Sequence, residues 1–275
     1  MSIDLKNLIW IFGTARVGST WLAEMMADHK EYTMWREPRV GALFGSYYYV
    51  RPRDEDSKNS HFVLGSHRRV WMRSIRSLVS DTAQATFSEK ERQGYLVIKE
   101  PNGSVGAPLL MEAMPESKMI LLIRDPRDVA ASGLDAERAG GWAAGHKYGG
   151  GRSDSNPNAV VRERAARYLR DVGNAKQTYE AHRGYKVLVK YEDLLDKTLA
   201  TMQSIYSTLE IPVDEEVLVR TVERHSWKNI PEDKKGEGKF RRKGISGGWV
   251  EDLTSEQVEI VENVTALLLD EFYPT

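Results

Sequence analysis

The stretch Leu8–Trp21, LIWIFGTARVGSTW, constrains this chain more than any other. An apolar run ends at Gly13, a short loop carries Arg16 and Gly18, and a helix reads from Ser19 onward. Strand, glycine loop and helix in that order aim backbone N–H groups and the positive end of a helix at a phosphate. The nucleotide-hydrolase form of this motif, G-x-x-x-x-G-K-[ST], sends a lysine to the β- and γ-phosphates. Here Ser19 holds the lysine position, and the cation sits inside the loop at Arg16. The loop keeps a phosphate cradle but loses the γ-phosphate lysine. That points to a ligand with one phosphate at this loop rather than to ATP or GTP.

The rest of the chain supplies the layers such a motif needs. Residues 7–13, 31–36, 95–98, 119–123 and 187–189 read as strands. Residues 19–28, 68–80, 107–114, 159–181 and 192–209 read as helices. A further helix starts at Asp125-Pro126, where Asp caps and Pro suits the first turn. Alternating strands and helices predict an α/β fold, a central parallel sheet flanked by helices, built as one domain over residues 1–275. Tyr47–Val50 is apolar and 51–60 is a polar linker. Two segments, Gly140–Asn158 and Lys234–Gly248, are long and glycine-rich, as lids and binding loops are.

Composition removes several function classes. A net charge of −1 gives no bulk attraction to nucleic acid or to an acidic membrane. With no cysteine there is no disulfide framework, thiol nucleophile or cysteine zinc site. No apolar run approaches a membrane span, and the N-terminus does not read as a signal peptide, so a cytoplasmic protein is expected. No metal-ligand spacing stands out.

Two more basic elements follow the first loop. Arg124 closes the 119–123 strand and Ser132 lies about two turns into the next helix, so both can face one phosphate. Arg124 can equally pair with Asp125 or Asp128, with Ser132 packing a helix face. The other element is Phe240–Trp249, FRRKGISGGW, where Arg242, Lys243 and Gly244 combine two charges with a close backbone approach.

In this combination the chain resembles the sulfotransferases that use 3′-phosphoadenosine 5′-phosphosulfate (PAPS), from about residue 8 to 255. Ala15-Arg16-Val17-Gly18-Ser19-Thr20 resembles that family's 5′-phosphosulfate loop, and the arginine is similar to the protein-tyrosine branch. Trp21 resembles the cytosolic branch, in which such a Trp stacks on adenine. Arg124 and Ser132, eight residues apart, match the family's 3′-phosphate pair. Tyr191-Glu192-Asp193 matches an adenine-side motif, Arg242-Lys243-Gly244 the C-terminal one, and Ser226-Trp227 an adenine-side pair. The resemblance implies PAPS as donor, adenosine 3′,5′-bisphosphate (PAP) as product, no metal, and a small-molecule or glycan acceptor. A P-loop kinase and a non-catalytic nucleotide-binding protein are the alternatives. Ser19 at the lysine position argues against the first, and the surviving Arg16 and Lys99 against the second.

The chain departs from the cytosolic pattern at the catalytic base. That branch carries Lys-Thr-His after the middle strand, whereas this chain reads Lys99-Glu100-Pro101. The protein-tyrosine branch uses a Glu about twenty residues past the loop arginine, and Glu37 holds that position here, with Arg39 beside it. Glu37 is therefore the first candidate base and Glu100 the second. The simpler readings are an ion pair of Glu37 with Arg36 or Arg39, and Glu100 as a partner of Lys99. Sulfuryl transfer resembles phosphoryl transfer, in which positioning and cations dominate. Arg16 and Lys99 are the cations expected at the reacting group. Of the histidines, His29, His61, His67, His146, His182 and His225, none stands at the base position. Tyr47, Tyr48, Tyr49, Trp71 and Trp142 are candidates to line the acceptor pocket. The cytosolic dimer motif is not intact, because Val250 replaces its first lysine.

Overall fold

The computed structural model describes residues 3–50, 67–138, 140–144 and 156–274, and for residues 46–50 the backbone alone. The linker 51–60, His61, His146, the side chains of Tyr47, Tyr48 and Tyr49, and most of the 140–158 segment lie outside the described residues.

Five strands form one parallel sheet: β1 (Leu8–Phe12), β2 (Tyr32–Arg36), β3 (Tyr95–Lys99), β4 (Lys118–Ile123) and β5 (Lys186–Lys190), in the order β2-β3-β1-β4-β5. β1 and β4 are buried at every position. Their apolar runs, LIWIF and MILLI, are what a parallel strand covered on both faces requires. β5, KVLVK, lies at an edge and alternates buried with half-buried residues. Ile11 of β1 lies beside Lys99 of β3 and Ile120 of β4, so the C-terminal ends of these three strands share one rim. The order turns from β3 to β4 across β1. That reversal opens a crevice at the rim, the usual place for a ligand in such sheets.

Ten α-helices of six residues or more are among the described residues. They are α1 (Ser19–Ala27), α2 (Val40–Val50), α3 (Arg68–Thr86), α4 (Ala107–Ala113), α5 (Pro126–Glu137), α6 (Pro157–Ala181), α7 (Tyr191–Asp196), α8 (Thr198–Thr208), α9 (Glu215–Arg224) and α10 (Ser255–Phe272). The helix expected over 192–209 is two helices. Lys197 is non-helical (φ −127°, ψ 49°); its amide and Thr201 Oγ1 both donate to the carbonyl of Asp193 (2.9 and 3.0 Å), and Thr198 Oγ1 reaches the carbonyl of Leu195, freed at the end of α7, at 3.4 Å. α2, α9 and α10 carry no expectation from the sequence reading, although the capping box of Thr254 and Gln257 opens α10.

The main core surrounds the sheet, with Trp10, Phe12 and Leu22 fully buried. A smaller apolar cluster holds Ala130 and Ala131 of α5 against Val161 and Ala165 of α6 and Val261 of α10. That cluster fixes α5, and Ser132 on it, relative to α6.

Candidate active site

The loop after β1 turns on two left-handed residues, Arg16 (φ 75°) and Gly18 (φ 90°), and delivers buried Ser19 and Thr20 to the start of α1. At Gly18 a Cβ would lie 2.6 Å from the ring of Tyr191, so only glycine lets the loop close against α7. The guanidinium carbon of Arg124 stands 4.3 Å over the centre of the Tyr191 ring. Trp21 meets that ring edge-on at 6.3 Å and donates its indole N–H to the carbonyl of His225 at 3.0 Å.

Arg124, at the end of β4, donates to the carbonyls of Arg16 (3.3 Å) and Ile245 (3.1 Å) and stands 3.7 Å from the Asp128 carboxylate. Its Nε is buried without a hydrogen-bond partner among the described residues, and so is the hydroxyl of Ser226. Tyr168 holds the carbonyl of Arg124 from α6 at 2.9 Å. Arg16 Nε donates to Ser132 Oγ at 2.9 Å, and its Nη2 donates to the carbonyl of Phe240 at 2.7 Å. The Arg16 guanidinium also lies over the rings of Trp142 and Phe240. Burial lowers its pKa to about 10, with repulsion from Arg124, Arg164 and Arg242 acting in the same direction. Positive charge in excess of local acids is the signature of an anion site.

The 240–249 segment is tied to this cluster by two acidic anchors, of which the sequence offered Asp128 only as a partner of Arg124 and did not mark Asp252. Asp128 accepts from the amides of Gly247 (2.8 Å) and Trp249 (3.0 Å). Asp252 pairs with Arg242 and, at 2.9 Å, with Lys243. Burial pushes the Asp252 carboxyl up, but these two cations outweigh it and hold it below the ordinary value.

At the other side of the crevice Lys99 ends β3 almost fully buried. Its ammonium pairs with the Glu37 carboxylate and donates to Thr20 Oγ1 at 3.1 Å. Asn102 donates to the other Glu37 oxygen at 2.9 Å. Glu37 thus pairs with Lys99, while Arg36 pairs instead with Glu24 (3.3 Å). Burial raises the Glu37 carboxyl, but the hydrogen bonds from Lys99 and Asn102 win, and its pKa lies below the ordinary value. Glu100 is completely buried, does not line the crevice, and accepts from the backbone amides of Arg39 and Gly41.

These groups line one cleft of about 570 Å³. It brings together Arg16, Gly18, Ser19, Thr20, Trp21, Glu37, Lys99, Arg124, Ser132, Tyr191, Trp227, Arg242, Lys243 and Gly244. Of the expected site residues, Val17 is buried in the core, and Glu100 and Ser226 are not on the cleft wall. Trp142 lines the cleft, but Trp71 does not; it packs edge-on against Phe44. Arg164 and Arg167 of α6 and Asn102 also line it with no local motif to mark them, as do Arg36 beside Glu37 and Arg241 of the FRRKGISGGW segment. Among the described residues, Glu37 is the only acidic one on a wall that carries ten lysines and arginines. Of the described histidines, His29 and His182 are buried, His67 is exposed ahead of α3, and only His225 borders the cleft. No helix among the described residues is long and apolar enough to cross a membrane.

A parallel sheet with a glycine loop and a cationic cleft at its switch point defines a P-loop-type nucleotide-binding α/β protein. Over residues 9–215 the sequence matches the Sulfotransferase family, and the chain belongs to that family. Curated proteins offer no match. Among solved structures the fold is similar to mouse sulfotransferase SULT7A1 complexed with PAP (TM-score 0.60, 13% identity, 96% of this chain and 85% of that one). It is also similar to retinol dehydratase in complex with androsterone and PAP (0.57, 18%, 97% and 81%) and to the sulfotransferase domain from the curacin biosynthetic pathway (0.52, 17%, 94% and 96%).

Proposed function

We propose that this sulfotransferase uses PAPS and transfers its sulfuryl group to a hydroxyl or amine of a small-molecule or glycan acceptor. The observation that carries the reading is the meeting of Arg16, Arg124, Ser132 and Arg242 around one loop that lacks a triphosphate lysine. The unpartnered Arg124 Nε and the near absence of acids on the wall fit a donor with two separated phosphates. Bound PAPS supplies the activated sulfuryl group and a phosphate leaving group.

The chain's own residues do the rest. Arg124, Ser132, Arg242, Lys243 and the Gly244 backbone would hold the 3′-phosphate. The loop residues Val17, Gly18, Ser19 and Thr20 would hold the 5′-phosphate with their amides and hydroxyls. Trp21, Tyr191, Ser226 and Trp227 would frame the adenine. Arg16 and Lys99 place positive charge where it grows on the leaving group, so their effect is largest in the transition state. Glu37 takes the acceptor proton. Its carboxylate is held low by Lys99, so an ammonium drawn toward a bound anion leaves a stronger base behind. Glu100, sealed from the cleft, is not placed to touch an acceptor.

Turnover tests the base assignment. PAPS is presented with a panel of aliphatic alcohols and amines, and PAP release is followed. Glu37→Gln should lower the rate roughly 10²–10⁴-fold while PAP binding is retained. Near-normal turnover by that variant would move the base elsewhere.

A further inference from the structure

Glu37 sits on a contorted turn. Its own backbone (φ 47°) and that of Arg39 (φ 58°) are both left-handed, a costly conformation for residues with a side chain. Such a turn persists only when its surroundings fix it, and two ties do so. The Glu37 amide donates to the carbonyl of Lys99 at 2.9 Å. The second tie is a side chain. Glu100 Oε2 accepts from the Arg39 amide at 2.9 Å, and Oε1 accepts from the Gly41 amide at 3.0 Å. The Gly41 amide lies in the first turn of α2 and the Arg39 amide just ahead of it, so the Glu100 side chain caps the start of α2 from the end of β3.

The carboxylate is itself held in place. The Glu100 amide donates to the carbonyl of Ile11 in β1, and its carbonyl accepts from the amide of Gly103. The side chain is fully buried. At Gly103 a Cβ would lie 2.0 Å from Glu100 Oε1, so the turn after β3 leaves room for this carboxylate only by being glycine. One strand end thus delivers two neighbouring residues to opposite tasks. Lys99 points into the cleft and pairs with Glu37, while Glu100 points away and grips the backbone that carries Glu37.

We propose that Glu100 is a positioning residue that sets the Glu37 carboxylate against Lys99 through the amides of Arg39 and Gly41. This rests on the reading of Glu37 as the base, and it replaces the expectation of Glu100 as a base. Burial raises the Glu100 carboxyl to about 7, offset in part by the two amides it accepts. Glu37 raises it further and Arg39 lowers it, and these are the charged groups that bear on it from the turn.

The test does not need the acceptor. Amide hydrogen exchange is measured on the free protein for peptides covering 37–41 and, as a reference, β1. The titration of the Glu37 carboxyl is followed by carbon NMR. In Glu100→Gln one of the two acceptors becomes a donor facing an amide. Exchange at 39–41 should rise roughly 10- to 100-fold with β1 unchanged, and the Glu37 pKa should climb toward its ordinary value as the Lys99 contact loosens. Gly103→Ala keeps the carboxylate but displaces it, and should move both readouts in the same direction. Unchanged exchange at 39–41, or a Glu37 titration that stays put in both variants, overturns the proposal. Failure of the base reading shows separately, as near-normal turnover by Glu37→Gln.

Discussion

The Lys99–Glu37 pair gives a quantity that can be worked from the structure. Lys99 is 5% exposed and Glu37 26% at the side chain, so the pair is sheltered on one side only. Two unit charges in contact attract with about 4–5 kcal/mol at an effective dielectric of 20, and taking them out of water cancels much of that. Solvent access at Glu37 screens the remainder, so a net coupling of about 1–3 kcal/mol is expected. The perturbation is a double-mutant cycle of Glu37→Gln, Lys99→Met and the double variant, each unfolded in urea at pH 7. Glu37→Gln alone leaves a buried ammonium with neutral partners only, the amide oxygen at 37 and Thr20 Oγ1, and the double variant should recover part of that loss. The pH dependence has a definite sign. Because the folded pKa of Glu37 lies below its unfolded value, the pair stabilises fully above the ordinary carboxylate range. That contribution fades as pH falls through the folded value. Glu100, raised to about 7, acts oppositely, and its contribution is lost as pH rises toward 7. The two separate when Glu37→Gln is subtracted from the parent. A coupling below about 0.5 kcal/mol, or a difference curve that grows toward acid, refutes the pairing.

Two further predictions concern the donor side. Arg124→Ala should weaken PAP binding by roughly 1.5–3 kcal/mol by calorimetry, because a buried charged donor is removed; unchanged affinity in a folded variant would remove Arg124 from the 3′-phosphate site. Arg16→Ala should slow turnover far more than it weakens PAP binding, since the charge it faces grows toward the transition state; equal losses would make it a ground-state anchor.

The site divides cleanly by what a sequence can carry. The Leu8–Trp21 motif was legible because strand, loop and helix are contiguous and each step has its own local signal. Arg124 and Ser132 were legible as neighbours because a strand end and the helix that follows it are contiguous in sequence, and both line the cleft. The apolar runs of β1 and β4 announced their place at the sheet centre. Glu100 was not legible as a structural clamp: its partners are the amides of Arg39 and Gly41, some sixty residues away, and backbone donors leave no mark in sequence. Arg164 and Arg167 reach the cleft only because α6 packs on α5 through alanines and valines, which one chain segment cannot reveal. The break at Lys197 was missed for a related reason, because local side-chain hydrogen bonds ended a helix whose composition did not.

On the proposed reading, this cleft takes a nucleotide with separate 3′- and 5′-phosphates. Calorimetric titration of the protein with PAP and with adenosine 5′-monophosphate, in the same buffer, tests it most directly. PAP should bind roughly 10- to 100-fold more tightly, the worth of one charge-assisted phosphate contact. Equal affinities for the two nucleotides would contradict it.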